Sequence, residues 1–150
     1  MVKFKETIFA LSTPHGKAAV ALIRISGPSS YDCIKKISTN MPLKPNIATY
    51  NKLITKRGST IDQTITTFFK APKSFTGEDM VEIGIHGGNA VIKKVFDVLL
   101  KNKGVRMAEP GEFTRRAFEN NKLDLTQVEA IADIVNAETE IQRKQAISHL

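Results

Sequence analysis

Residues 74–88, SFTGEDMVEIGIHGG, organise the rest of the chain because they join a polar loop to a short strand and then to a glycine turn. Side chains alternate between the two faces of a strand. One face receives the apolar side chains of Val81, Ile83 and Ile85, which predicts a buried side. The other face receives Glu82 and His86. The two glycines precede a helical pattern, and unpaired N–H groups at a helix start attract anions, so we predict a ligand site here; a tight turn would also explain the glycines.

Composition places the chain among globular domains. Its 150 residues are 41% hydrophobic and 25% charged, which predicts one domain, or one domain plus a piece of another. The formal net charge of +7 favours acidic partners such as nucleic acid or anionic small molecules, although lysines scattered along the chain are more typical of a solvated surface. The single cysteine, Cys33, is predicted to be a small core residue and fits a reducing cytosol. No apolar run approaches the roughly 20 residues of a membrane span.

The periodicity of the flanking sequence predicts mainly strands. Strands are predicted at 4–11, 18–26, 47–57, 61–71 and 105–108, and helices from Ser29 or Ser30 to Ser38, at 89–102 and from Pro110 to Phe118. Turns are predicted at 13–17 and 57–60. Because the strands do not alternate regularly with helices, we predict an α+β domain with a mixed, mainly antiparallel sheet and flanking helices.

The C-terminal segment has a different pattern. Asp124 and Gln127 resemble a capping box, and apolar residues then keep a helical spacing to Leu150 without a glycine or proline. We therefore expect one helix that runs to the end of the sequence, and we expect the chain to be the N-terminal part of a longer protein. The predicted division is residues 1–119 for the first domain and 120–150 for the start of a helical domain.

Three side chains are candidates for ligand contacts, each with a plainer interpretation. Glu82, in mid-strand, can accept two parallel hydrogen bonds from a planar N–H pair, or it is a solvent-facing glutamate. Arg24, at the end of an apolar strand, can grip a carboxylate or phosphate, or it pairs with a local acid. Lys122 lies in the polar joint before the last helix, where an ordinary exposed lysine is the default.

Several reaction classes have no motif in this sequence. There is no G-x-x-x-x-G-K-[ST] phosphate loop and no G-x-G-x-x-G. There is also no Cys/His cluster for a metal and no convincing nucleophile set. Residue chemistry therefore predicts a ligand site without a metal or a catalytic residue, and it does not predict a reaction.

An ordered set of motifs resembles the N-terminal part of the tRNA modification GTPase family (MnmE/TrmE). The motifs are Thr13-Pro14…Gly16, Arg24-Ile25-Ser26-Gly27, Phe75-Thr76-Gly77-Glu78-Asp79…Glu82, His86-Gly87-Gly88, Pro110-Gly111-Glu112-Phe113…Arg116-Ala117-Phe118, Asn121-Lys122…Asp124-Leu125 and Glu129-Ala130…Asp133. Each is modest alone, but their order is specific. The chain departs from the pattern at Lys17 to Ala19 and at Val128, and the first of these departures affects only the shape of the first loop.

This resemblance implies a fold similar to folate-binding aminomethyltransferase domains. It also implies binding of a tetrahydrofolate derivative such as 5-formyltetrahydrofolate, with contacts at Arg24, Glu82 and Lys122, and homodimerisation. In the whole family protein, a helical domain contains a GTPase domain that uses GTP, magnesium and potassium. Together with an FAD-dependent partner, this cytoplasmic enzyme modifies carbon 5 of the wobble uridine of certain tRNAs. The alternatives are a basic RNA-binding module without folate and a stand-alone folate-dependent aminomethyltransferase, against which the short length argues.

Overall fold

The computed structural model describes residues 4–14, 16 and 18–150. The strands are β1 Thr7–Leu11, β2 Ala18–Ser26, β3 Thr49–Ile54, β4 Thr60–Phe69, β5 Met80–Gly87 and β6 Val105–Met107. The helices are α1 Ser30–Lys35, α2 Asn89–Leu100, α3 Glu112–Glu119, α4 Leu125–Asn136 and α5 Glu140–Ser148. The predicted turn at 13–17 includes His15 and Lys17, which lie outside the described residues.

The strands form a six-stranded open sheet in the order β3-β4-β5-β2-β1-β6. Neighbouring strands pair antiparallel except β1 and β6, which pair parallel. This arrangement confirms the predicted α+β class with a mixed, mainly antiparallel sheet. β2 and β5 lie at the centre of the sheet, so the strand predicted within residues 74–88 is a central strand.

One face of the sheet packs against helices α1 and α2. The apolar residues of β5 that were predicted to be buried, Val81, Ile83 and Ile85, are in this core. The helices contribute Ile34 and Leu99, both fully buried. Alternation along β5 then places Glu82 and His86 on the opposite face.

Cys33 of α1 belongs to the same core, as predicted, and burial raises the pKa of its thiol to about 11. Ser29 holds the N-cap position of α1, as predicted, but its side chain makes no capping hydrogen bond. The stability of this short helix therefore comes from tertiary packing.

The C-terminal segment differs from the prediction of one continuous helix. The capping box of Asp124 and Gln127 is confirmed, but α4 ends at Asn136 and Ala137 is extended. Thr139 and Gln142 form a second capping box that starts α5. A polar cap can start a new helix without a preceding glycine or proline, which explains why the break was not predicted. None of the described helices has the length and apolarity that crossing a membrane requires.

Candidate functional site

Two of the three predicted ligand residues face each other on the open side of the sheet. Arg24 of β2 and Glu82 of β5 are directly opposite in the antiparallel register. Their side chains approach to 3.8 Å between Arg24 Nη2 and Glu82 Oε1 and are 32% and 24% exposed. The pairing therefore brings together two residues that are 58 positions apart in the sequence.

This pair leaves much of its hydrogen-bonding capacity unused. Among the described residues, neither side chain has a hydrogen-bond partner, and their 3.8 Å separation is too long for a hydrogen bond. Arg24 Nε is buried without a partner. Arg116 Nε of α3 is likewise buried without a partner, so the distinguishing feature of Arg24 is that none of its three side-chain nitrogens has a hydrogen-bond partner among the described residues. A ligand with acceptor atoms would complete this arrangement.

The β4–β5 loop, residues 70–79, forms one side of this site. The Arg24 guanidinium lies 5.6 Å from the centre of the Phe75 ring, within the range of a cation–π contact. Phe75 thus restricts the guanidinium and adds an apolar surface next to the pair.

Lys122 reaches the same loop from the segment after α3. Its Nζ donates a hydrogen bond to the Pro72 carbonyl at 3.1 Å. Gly77, with φ of +82°, lies next to the aliphatic part of the Lys122 side chain. A Cβ on Gly77 would be 3.4 Å from Lys122 Cγ. In the described part of the chain, no hydrogen bond or ion pair links Lys122 directly to Arg24 or Glu82. The loop therefore contacts two of the three predicted residues, Arg24 through Phe75 and Lys122 through Pro72.

Buried polar contacts hold this loop in place. Thr76 is fully buried, its hydroxyl lies 2.7 Å from Ser26 Oγ, and its carbonyl accepts a hydrogen bond of 2.8 Å from Asn120 Nδ2. Ser26 Oγ also donates to Glu78 Oε1 at 2.8 Å. Ser26 follows Arg24 on the same face of β2, so these contacts fix the loop relative to the strand that presents the arginine.

Glu78 also belongs to a buried ion-pair cluster that is centred on Arg116 of α3. Arg116 Nη1 donates to both Glu78 oxygens, at 2.9 and 3.1 Å, and to the Glu6 carbonyl at 2.9 Å. Its Nη2 donates to Glu112 at 3.2 Å. Arg106 binds Glu112 through two hydrogen bonds of 2.7 Å. The hydrogen bond from Arg106 holds the pKa of the Glu112 carboxyl at about 2, below the ordinary 4.5, so this carboxylate is ionised near neutral pH.

No role was predicted for this Arg116 cluster from the sequence. One available signal was the spacing of Glu112 and Arg116, four positions apart on one helix, which places the two side chains side by side. Glu78 lies 38 positions away from Arg116, so nothing local indicates that it belongs to the same cluster.

One of the two glycines, Gly87 at the end of β5, has a structural explanation. A Cβ on Gly87 would lie 2.2 Å from the Ala18 carbonyl oxygen, so the close approach of β2 requires glycine. His86 Nδ1 and its backbone N–H both contact Asp62, each at 2.8 Å. Gly88 is the N-cap of α2 with φ of −72° and has open space around it, so neither a turn with positive φ nor a steric contact accounts for this second glycine. No cluster of three or more His, Cys, Asp or Glu side chains that could hold a metal occurs in the described part of the chain.

The fold is that of an open-sheet α+β domain, and comparison with known proteins identifies its family. The family model described as "GTP-binding protein TrmE N-terminus" matches residues 7–122. The chain belongs to this family. The match contains Arg24, Glu82, the β4–β5 loop and Lys122.

Curated relatives agree with this assignment. Three proteins named "tRNA modification GTPase MnmE" are similar to nearly the whole chain. The protein from Aquifex aeolicus is 44% identical over 147 residues, covering 97% of this chain and 33% of the relative. The protein from Roseobacter denitrificans is 49% identical over 142 residues, covering 95% and 33%. The protein from Rickettsia bellii is 50% identical over 143 residues, covering 95% and 32%. The chain therefore spans about a third of the length of these relatives.

Proposed function

We propose that this chain is a folate-binding domain whose ligand lies on the open face of the sheet, over Arg24 and Glu82. The observation that supports this proposal is a mid-strand carboxylate, Glu82, whose oxygens have no hydrogen-bond donor among the described residues although it lies 3.8 Å from a guanidinium. Because Glu82 is 24% exposed, water can hydrate its carboxylate, and a ligand that enters the site can replace that water with its own hydrogen-bond donors. The site is therefore suited to an incoming ligand with paired N–H donors.

The chemistry of a reduced folate matches the three side chains. Glu82 would accept hydrogen bonds from the amino group and ring N–H of the pterin, which form a planar donor pair. Arg24, with its unpartnered Nε, would donate to carbonyl or acidic groups of the ligand. Lys122, which contacts the β4–β5 loop at Pro72, would attract an acidic group. Bound 5-formyltetrahydrofolate would supply a one-carbon unit, so the protein side chains are needed for positioning.

We also propose that the chain forms a homodimer through the open face. Tyr50, Ile65 and Val20 are 82%, 45% and 64% exposed. The strand registers place Tyr50 opposite Ile65, Ile65 opposite Gly84 and Val20 opposite His86, on the same face as Glu82. Contiguous exposed apolar side chains mark interaction sites, and a second copy is the proposed partner.

For the whole protein we propose the activity in the names of the relatives, tRNA modification coupled to GTP hydrolysis. In this proposal, magnesium and potassium act with GTP outside these 150 residues, and a cytoplasmic FAD-dependent partner shares the modification of wobble uridine. The similarity of the fold to aminomethyltransferase domains is part of the same proposal. The division of the chain after Glu119 stays a prediction, as does a helical domain that begins with α4.

Binding of 5-formyltetrahydrofolate by isothermal calorimetry tests the folate proposal. We expect the chain to bind this ligand and Glu82→Ala to weaken binding at least about tenfold, which corresponds to roughly 1.4 kcal/mol. Glu82→Gln tests whether the negative charge is needed. Glu138→Ala removes an exposed carboxylate outside the site and serves as the matched control.

The oligomeric state is measured in the same samples by light scattering. A verified dimer that shows no heat of folate binding would contradict the folate proposal. Equal losses of affinity in Glu82→Ala and Glu138→Ala would contradict the assigned site, even if the chain binds folate.

A further inference from the structure

A basic cleft lies on the helical side of the molecule. It has a volume of about 790 Å³ between the ends of α1 and α2 and the β3–β4 turn. Its lining includes five exposed cations and no acidic residue: Lys36, Lys56, Arg57, Lys94 and Lys101. These residues are spread over 66 positions of the sequence, so the fold concentrates charge that looked scattered.

None of these cations forms a close ion pair with a carboxylate. Among the described residues, which include every Asp and Glu of the chain, no carboxylate lies within the 4.0 Å of an ion pair from any of the five. Lys36 instead donates a hydrogen bond of 2.9 Å to Asn102 Oδ1. Like charges that share a cleft repel one another, so this arrangement costs stability unless an anion binds.

Helix stabilisation explains only part of this charge. Lys36 and Lys101 are the C-cap residues of α1 and α2, where a cation compensates the helix dipole. Lys56 and Arg57 lie in the β3–β4 turn and Lys94 lies near the middle of α2, so no helix end accounts for them. These three residues, the non-capping cations, form the part of the cleft that points to a ligand.

We propose that this cleft binds the sugar-phosphate backbone of RNA. Phosphate contacts from Lys and Arg dominate the affinity of proteins for nucleic acid, and the cleft offers several unpaired cations above a partly apolar floor of Ile37 and Val98. RNA is chosen over other polyanions because the relatives modify tRNA by name. The choice of RNA therefore rests on the tRNA part of the proposed function, whereas the cleft is separate from the folate site.

The test compares two triple variants of the full chain with the same change in charge. Lys56→Gln/Arg57→Gln/Lys94→Gln removes the non-capping cations. Lys5→Gln/Lys44→Gln/Lys144→Gln removes three exposed lysines that do not line the cleft. Binding of a fluorescein-labelled, unmodified tRNA transcript is followed by anisotropy between 25 and 200 mM KCl, because phosphate contacts weaken as the salt concentration rises. Circular dichroism verifies that each variant is folded.

We expect the cleft variant to lose at least about tenfold in RNA affinity at 100 mM KCl and its salt slope to fall by roughly 2, since each phosphate contact contributes about 0.7–0.9. The control should lose less than about threefold. Equal losses in both variants, no loss in the cleft variant, or no RNA binding by the parent chain would each overturn the proposal. Binding of poly-glutamate as tightly as RNA, with the same dependence on the cleft, would overturn the choice of RNA.

Folate binding separates this proposal from the previous one. The cleft variant should bind 5-formyltetrahydrofolate like the parent chain, and Glu82→Ala should keep its RNA affinity. A cleft variant that is folded but loses folate binding would contradict the independence of the two sites. If no variant binds folate but the RNA affinities differ between variants as expected, the folate site alone is rejected and the proposal for the cleft is kept.

Discussion

Two arginine–glutamate sites lie beside the β4–β5 loop, and they differ in burial and in hydrogen bonding. At the first site, Arg116 is 1% exposed, and the Glu112 carboxylate that it contacts is fully buried. At the second site, Arg24 and Glu82 are 32% and 24% exposed, and their closest charged atoms are 3.8 Å apart. Arg116 makes four hydrogen bonds through its two terminal nitrogens, whereas Arg24 makes none among the described residues.

This difference separates an arginine that is fixed by its neighbours from one that is left available, as the proposed folate site requires. Burying a charged pair costs several kcal/mol per ion, which only good geometry and further hydrogen bonds offset. The Arg116 cluster meets this condition and ties α3 to the loop through Glu78. The Arg24–Glu82 pair is partly exposed to solvent, so the absence of hydrogen bonds between the two side chains costs little free energy. The pair can therefore remain available for a ligand. The first site fixes the loop that the second site uses.

The largest effect is expected from removing Arg116. Arg116→Met keeps an apolar stem but leaves Glu78 and Glu112 with fewer partners in a buried setting, and loss of one member of a buried pair typically costs about 3–5 kcal/mol. We expect the free energy of unfolding to fall by about 3 kcal/mol, measured by urea denaturation.

Arg115 of the same helix is the matched control because its side chain is 51% exposed and its ion pairs are longer, at 3.6 and 3.9 Å. Arg115→Met should cost less than about 1 kcal/mol. Similar losses from the two substitutions would show that the buried cluster does not hold the fold, and the contrast with Arg24 would then fail.

An intermediate effect is expected from acid. The hydrogen bond from Arg106 lowers the pKa of Glu112 to about 2 from 4.5, so the folded state favours the ionised carboxylate. Its contribution to stability is therefore complete above about pH 4.5 and is lost as the pH falls through about 2. We expect the difference in unfolding free energy between the parent chain and Glu112→Gln, about 2 kcal/mol near neutral pH, to shrink across this window.

Urea denaturation at a series of pH values between 6 and 2.5 measures that difference. The control is Glu138→Gln, which changes an exposed carboxylate and should give a small difference at every pH. A difference for Glu112→Gln that is the same at both ends of the range would mean that the charge of this carboxylate does not contribute to folding.

The same contrast explains what sequence could and could not predict. Alternation along residues 80–87 predicted which face of β5 is buried, because strand periodicity is a local property. The capping box at Asp124 was likewise predicted from residues three positions apart. Strand order is not local, so the sequence did not reveal that Arg24 and Glu82 are cross-strand neighbours, although both had been selected as candidates.

Long-range pairing also explains what was missed. Glu78 and Arg116 meet only because the β4–β5 loop and α3 pack together, and no periodicity spans that separation. The cleft cations had been interpreted as scattered surface charge for the same reason. The helix break after Asn136 has a local cause, since Thr139 and Gln142 are a capping pair, and it was missed because the absence of glycine and proline was taken to indicate continuity.

The smallest effect on stability is expected at Arg24, where the effect on binding should instead be large. The pair of Arg24 with Glu82 is partly exposed and long, and such pairs contribute about 0–1 kcal/mol. Arg24→Gln should therefore change the unfolding free energy by less than about 1 kcal/mol. The same substitution should weaken the binding of 5-formyltetrahydrofolate at least about tenfold. Arg24→Lys keeps the charge but loses the planar fork, and it should recover only part of the affinity because lysine cannot make two parallel hydrogen bonds. Urea denaturation and calorimetry on the same preparations check both values. If Arg24→Gln destabilised the chain as much as Arg116→Met does, the Arg24 pair would be a structural element like the buried cluster, and its unused hydrogen-bonding capacity would no longer argue for a ligand.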